Sequence, residues 1–283
     1  MKQIGIIGAG TMGAGIAQAS LVSGYSVFLY DIAEQARTNA RTRINDDLSR
    51  REGKGELSGK TAGQFLANLI LVSSYPEFSH CDLIIEAALE RLDIKRDIFK
   101  HLGDACSSEC IFASNTSSLS ITEISTSVPH PERFAGLHFF NPATRMKLVE
   151  IVKGFHTTDA TLQHSFAFVK SLGKTPIVVK DTPGFIVNRV ARPFYGEALR
   201  LLNEGVATVD EIDRIARLEG GFKMGPFELM DLIGIDVNFA VTQSIYEQTF
   251  HEPRYRPHPI QKMMVDAGQL GKKTGRGFYK YKP

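Results

Sequence analysis

The sequence predicts two domains of different class: an N-terminal α/β domain built on a mostly parallel sheet, then an all-α domain. Three observations predict it. From Lys2 to about Val179, short apolar runs of strand length alternate with helical stretches, the pattern of successive β–α units. Beyond the break Asp181-Thr182-Pro183-Gly184 the pattern is helical almost throughout. At 283 residues the chain also exceeds the usual size of a single domain. The boundary is therefore placed at that break, giving domains 1–183 and 184–283.

The first stretch, Lys2 to Asp31, reads as a buried strand (Ile4, Ile6, Ile7), a glycine turn, a helix of small residues (Ala14 to Val22) and a second strand (Val27 to Tyr30). Gly8, Gly10 and Gly13 stand in the order G-x-G-x-x-G at the strand-to-helix junction. There the first glycine permits the tight turn, the second lets backbone approach a pyrophosphate, and the third lets helix and sheet pack closely. The N–H groups of the helix start, at Thr11 and Met12, then face the phosphates. Asp31 closes the second strand 18 residues after Gly13, where a carboxylate can accept from a ribose diol. These features predict a Rossmann-type dinucleotide site.

A polar helix from Ala33 to about Arg51 follows, with a break at Glu52-Gly53-Lys54-Gly55 and a second helical piece from Lys60 to Ala67. This segment is longer than a plain crossover requires, so it reads as an inserted helical arm. Its cations include Arg41, Arg43, Arg50, Arg51, Lys54 and Lys60. They suit either a solvated helix face or a rim for a phosphorylated ligand.

Strands are expected at Ile70 to Val72, Leu83 to Glu86 and Ile111 to Ser114, with a helix from Leu92 to Leu102 between the last two. Ligands of open parallel sheets bind outside the carboxyl ends of the strands, which places Glu90 and Ser117 in the right region. Arg133 to Phe139 and Lys147 to Lys153 read as a hairpin looped near Thr144, which makes His138 and Glu150 cross-strand partners. Opposed residues of an antiparallel pair have Cβ atoms about 5 Å apart, close enough for a carboxylate to hold an imidazole. A histidine in so apolar a strand can be a satisfied core residue; a facing carboxylate instead fixes its tautomer and favours its charged form. A helix (Thr157 to Lys170) and a last strand (Pro176 to Val179) end the domain. Helices are then expected at Ile186 to Asn203, Val209 to Arg217, Pro226 to Leu232, Asp236 to Thr249 and Pro259 to Ala267. Thr208 with Glu211 is a capping-box signature, and Asn203-Glu204-Gly205 a helix stop. Ile233, Ile235, Phe239 and Ile245 suggest more apolar surface than one small bundle buries, hence an oligomer interface.

Composition narrows the function classes. A net charge of +2 argues against general nucleic-acid or membrane-surface binding. Three cysteines, without C-x-x-C, fit a reducing compartment and no structural zinc. No apolar run approaches the roughly 20 residues that span a bilayer, and the chain opens directly in a strand. A soluble, intracellular protein is expected.

Ser114-Asn115-Thr116-Ser117-Ser118, His138-Phe139-Phe140-Asn141-Pro142, Leu148-Val149-Glu150-Ile151, Pro183-Gly184-Phe185-Ile186-Val187-Asn188-Arg189, Met224-Gly225-Pro226-Phe227 and the tail Gly271 to Tyr279 occur together and in order. In these motifs the chain resembles the L-3-hydroxyacyl-CoA dehydrogenases, specifically the short 3-hydroxybutyryl-CoA dehydrogenase type, from Lys2 to Tyr281. The resemblance implies reversible oxidation of a 3-hydroxyacyl-CoA to a 3-oxoacyl-CoA in fatty-acid or butyrate-type metabolism. It carries the catalytic acid–base to His138, its supporting carboxylate to Glu150, and groups around the reacting oxygen to Ser117 and Asn188. It carries cofactor contacts to Gly8, Gly10, Thr11, Met12, Gly13, Asp31, Glu90, Lys95, Ser117, Asn141 and Lys273. An ungapped register puts a CoA-contacting lysine on Lys54, which favours a functional rim on the arm, with Ser117 and Asn188 also toward the substrate. At Asp47 the sequence departs from the neutral polar residue common in the family. A homodimer through the helical domain, and a cytoplasmic location (the mitochondrial matrix for a mature eukaryotic chain), are further implications.

Asn188 lies past the inferred boundary, so the catalytic site is expected to draw on both domains. The carboxylate of Tyr30-Asp31-Ile32, with no arginine directly after it, favours NAD over NADP. Two alternatives stand beside this reading: a dehydrogenase of a free hydroxy or sugar acid, and a non-catalytic protein that retains the fold.

Overall fold

Eight strands form one sheet in the order β3-β2-β1-β4-β5-β6-β7-β8. The structure is a computed structural model and describes residues 1–281. Along the chain run β1 (Gln3–Ile7), α1 (Thr11–Val22), β2 (Ser26–Tyr30), α2 (Glu34–Gly53), α3 (Ala62–Leu66), β3 (Leu69–Leu71) and β4 (Leu83–Glu86). There follow α4 (Leu92–Ala105), β5 (Ile111–Ser114), α5 (Ile121–Ser125), β6 (Phe134–Phe139), β7 (Leu148–Lys153), α6 (Asp159–Ser171) and β8 (Thr175–Lys180). All neighbours pair in parallel except β6 with β7. The fold is Rossmann-like.

Parallel pairing has a consequence for function. It brings the carboxyl ends of β1, β2, β4, β5 and β6 to one edge of the sheet. Between β1 and β4 the order of strands reverses, which opens the crevice where dinucleotides bind in such sheets. The central strands are buried on both faces, as helix-covered parallel sheets require: β4, β5 and β6 are buried at every position. Ile6, Ile16, Leu29, Ile85 and Leu137 belong to one core with Ala40, Ile44 and Leu48 of α2. The polar arm is thus tied to the domain by a stripe of i, i+4, i+8 side chains, while its other faces stay wet.

The chain divides into two compact units, the second beginning at Pro183. It is helical: α7 (Val187–Asn203), α8 (Val209–Leu218), α9 (Pro226–Ile233), α10 (Ile235–Gln248) and α11 (Pro259–Asp266). Tyr195, Leu199, Phe227, Met230 and Ile235 form its core. Thr208 and Glu211 cap α8 reciprocally, with Glu211 accepting from the Thr208 N–H at 2.9 Å.

Some expectations need correction. The break expected from Glu52 comes later, because α2 continues through Gly53 and the chain turns at Gly55 with φ +71°. Helix α4 runs on to Ala105, past the expected end at Leu102. Helix α5 was not foreseen; five residues are too few to display a period, although Ser120 caps it and Ile121 and Ile124 are buried. Of the apolar residues read as surplus, Ile235, Phe239 and Ile245 are buried and only Ile233 is exposed. Those three lie on α10 and are covered within the chain itself.

Candidate active site

The glycine turn shows why each glycine is needed. A Cβ on Gly13 would lie 1.8 Å from the Gly8 carbonyl oxygen, and one on Gly8 2.5 Å from that of Ala87. Gly8 also holds φ +97°, which side chains rarely adopt. Gly10 is different: a Cβ there meets nothing within 4 Å. Two glycines make the turn and the third leaves room above it. Gly10 caps α1 without any side-chain acceptor, and the first turn, starting with Thr11 and Met12, carries no acid. Its N–H groups and positive end of the dipole therefore suit an anion.

Asp31 braces the turn. One carboxylate oxygen accepts from the Ala9 N–H at 2.8 Å and the other from Ala33 at 3.0 Å. Two arginines of α2 reach the same region: Arg37 donates to the Asp31 carbonyl at 2.6 Å, and Arg43 to the Ala9 carbonyl at 2.8 Å. No arginine follows Asp31 in sequence, yet the helix returns one to it. An open turn, an unneutralised helix end and a carboxylate at the end of β2 fit a dinucleotide with a free ribose diol.

Next to this turn lies a buried ionic network that sequence reasoning found only in part. Lys95 is 1% exposed and donates to Glu86 at 2.6 Å, with Glu90 at 3.3 Å. Glu86, fully buried at the end of β4, also accepts from Ser114 and from the Ala88 N–H, both at 2.6 Å. Glu90 accepts at one oxygen from Thr116 Oγ1 at 2.6 Å, the Ser117 N–H at 2.9 Å and the Ser118 N–H at 3.2 Å. The lysine thus holds the acid that holds the Ser117 loop. Burial works to raise the Glu90 carboxyl, but the Lys95 charge and the donors of Thr116 and Ser117 outweigh it and keep the group below its ordinary value. Glu86 carried one signal, a lone charge ending an apolar strand; nothing in the sequence pairs it with Lys95.

His138 and Glu150 stand opposite one another on β6 and β7, and His138 Nδ1 lies 2.7 Å from Glu150 Oε2. They are 6% and 1% exposed. A carboxylate at Nδ1 holds the ring orientation and the tautomer with Nε2 as the exchanging nitrogen. The Phe140 ring packs on the imidazole, with centroids 4.4 Å apart. Asn115, just past β5, accepts from the Phe139 N–H at 2.9 Å and ties the Ser117 loop to the histidine strand. The loop beyond, with a cis peptide at Asn141-Pro142, is held by Lys174, which donates to the carbonyls of Ala143 (2.6 Å) and Met146 (2.7 Å). Burial lowers the Lys174 pKa. A lysine more than twenty residues downstream gave no sequence sign of this task.

A cavity of about 340 Å³ runs beside the turn, lined by Thr11 and Gly15 of α1, Arg43, Asp46, Asp47 and Arg50 of α2, and Asn141, Pro142 and Thr144. Asp47 accepts from Gln18 at 2.6 Å, so its charge is engaged within the wall. Lys54 is exposed at the C-cap of α2.

Two expected site residues belong to the second unit. Asn188 lies in the first turn of α7, where its carbonyl accepts from Arg192 at 3.1 Å. Arg192 is itself buried and bonded to Asn238 and Thr242, with burial pulling its pKa down to about 10. Lys273 pairs with Asp236 at 2.6 Å. Its tail is pinned by buried Asp231, which accepts from the N–H groups of Phe278 (3.0 Å) and Tyr279 (2.9 Å). A Cβ on Gly277 would fall 2.1 Å from that carboxylate, which explains one glycine of the tail.

The comparisons with known proteins agree along the whole chain. The family model described as "3-hydroxyacyl-CoA dehydrogenase, NAD binding domain" matches residues 3–182, and the one described as the C-terminal domain matches residues 184–281. A 3-hydroxyadipyl-CoA dehydrogenase of Escherichia coli is 46% identical over all of this chain, which spans 59% of that protein's length. A 3-hydroxybutyryl-CoA dehydrogenase of Bradyrhizobium diazoefficiens is 40% identical over 100% of this chain and 96% of its own. The crystal structure of the (S)-3-hydroxybutyryl-CoA dehydrogenase from Ralstonia eutropha covers 100% of both chains at 41% identity, with a TM-score of 0.96. On these matches the chain belongs to the 3-hydroxyacyl-CoA dehydrogenase family.

Proposed function

We propose that the chain catalyses reversible, NAD-dependent oxidation of an (S)-3-hydroxyacyl-CoA, taken to be 3-hydroxybutyryl-CoA, to the 3-oxoacyl-CoA. The observation that carries the reading is His138 at 2.7 Å from Glu150 on the sheet edge that also bears the glycine turn. Bound NAD supplies the hydride acceptor. The chain must then take a proton from the C3 hydroxyl, and an imidazole exchanges protons near neutral pH. His138 accepts that proton at Nε2, and Glu150 stabilises the imidazolium and keeps the ring aimed. In the reverse direction the imidazolium returns the proton to the forming alkoxide. Ser117 and Asn188 donate to the substrate oxygens; such donors are worth a few kcal/mol where charge develops.

Gly8, Gly10, Gly13 and the first turn of α1 hold the pyrophosphate, and Asp31 holds the ribose. Asp31 repels a 2′-phosphate, which supports NAD over NADP. Arg37 is engaged on the Asp31 carbonyl. Asn141 and Lys273 are assigned further cofactor contacts, and Lys95 acts on the cofactor through Glu90. Lys54 faces the CoA phosphates. Exposed Ile215 and Leu218 of α8, 60% and 72% accessible, support pairing with a second copy through the helical unit.

A second reading concerns the acyl tail: the E. coli relative, the more similar of the two proteins above, is named for a substrate with a terminal carboxylate. The test is NADH consumption with acetoacetyl-CoA, 3-oxoadipyl-CoA and free acetoacetate. The proposal expects turnover with acetoacetyl-CoA and none with the free acid. Preference for 3-oxoadipyl-CoA would favour the second reading, and turnover of the free acid alone would contradict both.

A further inference from the structure

At the edge of the sheet opposite the glycine turn, the three cysteines of the chain lie together. Cys81 stands two residues before β4 and Cys110 immediately before β5, and parallel register sets Leu83 beside Ile111. Cys106 follows the last residue of α4. The Cys106 S–H donates to the Phe78 carbonyl at 3.7 Å, and the Cys110 S–H to the Ile111 carbonyl at 3.6 Å. The connection is tightened by the Cys110 N–H on the Ser107 carbonyl at 3.0 Å. Cys106 and Cys110 both line a cavity of about 100 Å³, with His130 in its wall. Cys110 also lines, with Cys81, a separate cavity of about 690 Å³.

The geometry points to Cys106 and Cys110 as a dithiol that hydrogen peroxide converts to a disulfide, a modification site remote from the proposed catalytic residues. Five residues span the two cysteines, a turn folds the chain between them, and both line the smaller cavity. Their roles differ. Cys106 is half-buried while Cys81 and Cys110 are buried, its interaction with Cys110 holds its thiol below the ordinary value, and burial pushes Cys81 up to about 12. Cys106 is therefore the nucleophile, since the thiolate is the reactive form. Its sulfur attacks one peroxide oxygen, the O–O bond breaks, and hydroxide leaves to become water as Cys106 becomes a sulfenic acid. The Cys110 sulfur then attacks the Cys106 sulfur, the S–O bond breaks, and the leaving hydroxide takes the Cys110 proton as a second water. Two thiols lose two electrons and one peroxide becomes two waters.

The test uses the full chain treated with a few equivalents of hydrogen peroxide, mapped by mass spectrometry without reduction. The peptide carrying Cys106 and Cys110 is expected to lose two hydrogens, two of the three thiols to vanish from a thiol titration, and both to return with dithiothreitol. In Cys110→Ser a sulfenic-acid probe should label Cys106; in Cys106→Ser it should leave Cys110 unlabelled. A bridge between Cys81 and Cys110, a Cys106 sulfinic acid without a bridge, or three unreacted thiols would each overturn the assignment.

Discussion

His138 and Glu150 show how one residue's chemistry depends on the one facing it. A carboxylate at Nδ1 holds a buried imidazole in one orientation and one tautomer. Replacing Glu150 by Gln keeps the shape and removes the charge. Turnover of hydroxyacyl-CoA is then expected to fall while NAD affinity is retained, because the ring loses the carboxylate that aims it; wild-type turnover would argue against the pair. Glu90 offers a second residue-scale test. Its carboxyl sits below its ordinary value in the folded chain, so it adds stability above the unfolded carboxylate pKa, about 4.3, and that contribution fades as pH falls through the lower folded value. The wild type should therefore out-melt Glu90→Gln by a constant margin at neutral pH and by a shrinking one in acid. A margin that grows on acidification would reverse the sign of the argument.

The element that organises the site is the strand–turn–helix unit β1–α1, whose glycines make separable predictions. Gly13→Ala places a methyl 1.8 Å from the Gly8 carbonyl, so the turn itself must deform and both melting temperature and NAD binding should fall. Gly10→Ala meets no protein atom within 4 Å. It should melt like the wild type and still bind NAD at least about tenfold more weakly, which corresponds to about 1.4 kcal/mol of lost close approach. Thermal melts with a calorimetric NAD titration separate the two, and unchanged affinity in Gly10→Ala would mean the cofactor does not lie over that glycine. At this scale the sequence was highly legible. Strand and helix periods differ, glycines and caps mark the junctions, and a hairpin centred near Thr144 puts His138 opposite Glu150, as the register has it.

Across the whole molecule, the fold class could be read because alternating β and α segments and a helical remainder admit few arrangements. What could not be read is which charged residues lie inside. Lys174, Asp213 and Asp231 look in sequence like ordinary surface charges, yet each is buried, as are Glu86 and Lys95. Their partners lie as far as 66 residues away along the chain, and only the folded topology brings the distant ones together. Those buried charges hold the loops and tail that carry Ser117, Asn141 and Lys273, so the positioning layer was hidden where the contact layer was visible.

The account rests on His138 as the proton-exchanging group, and the direct measurement is turnover of 3-hydroxybutyryl-CoA by His138→Gln beside its NAD affinity. NAD binding should stay near the wild-type value while turnover falls at least about 100-fold, the low end for a lost general acid–base. Turnover within a few-fold of the wild type, with NAD still bound, would contradict it.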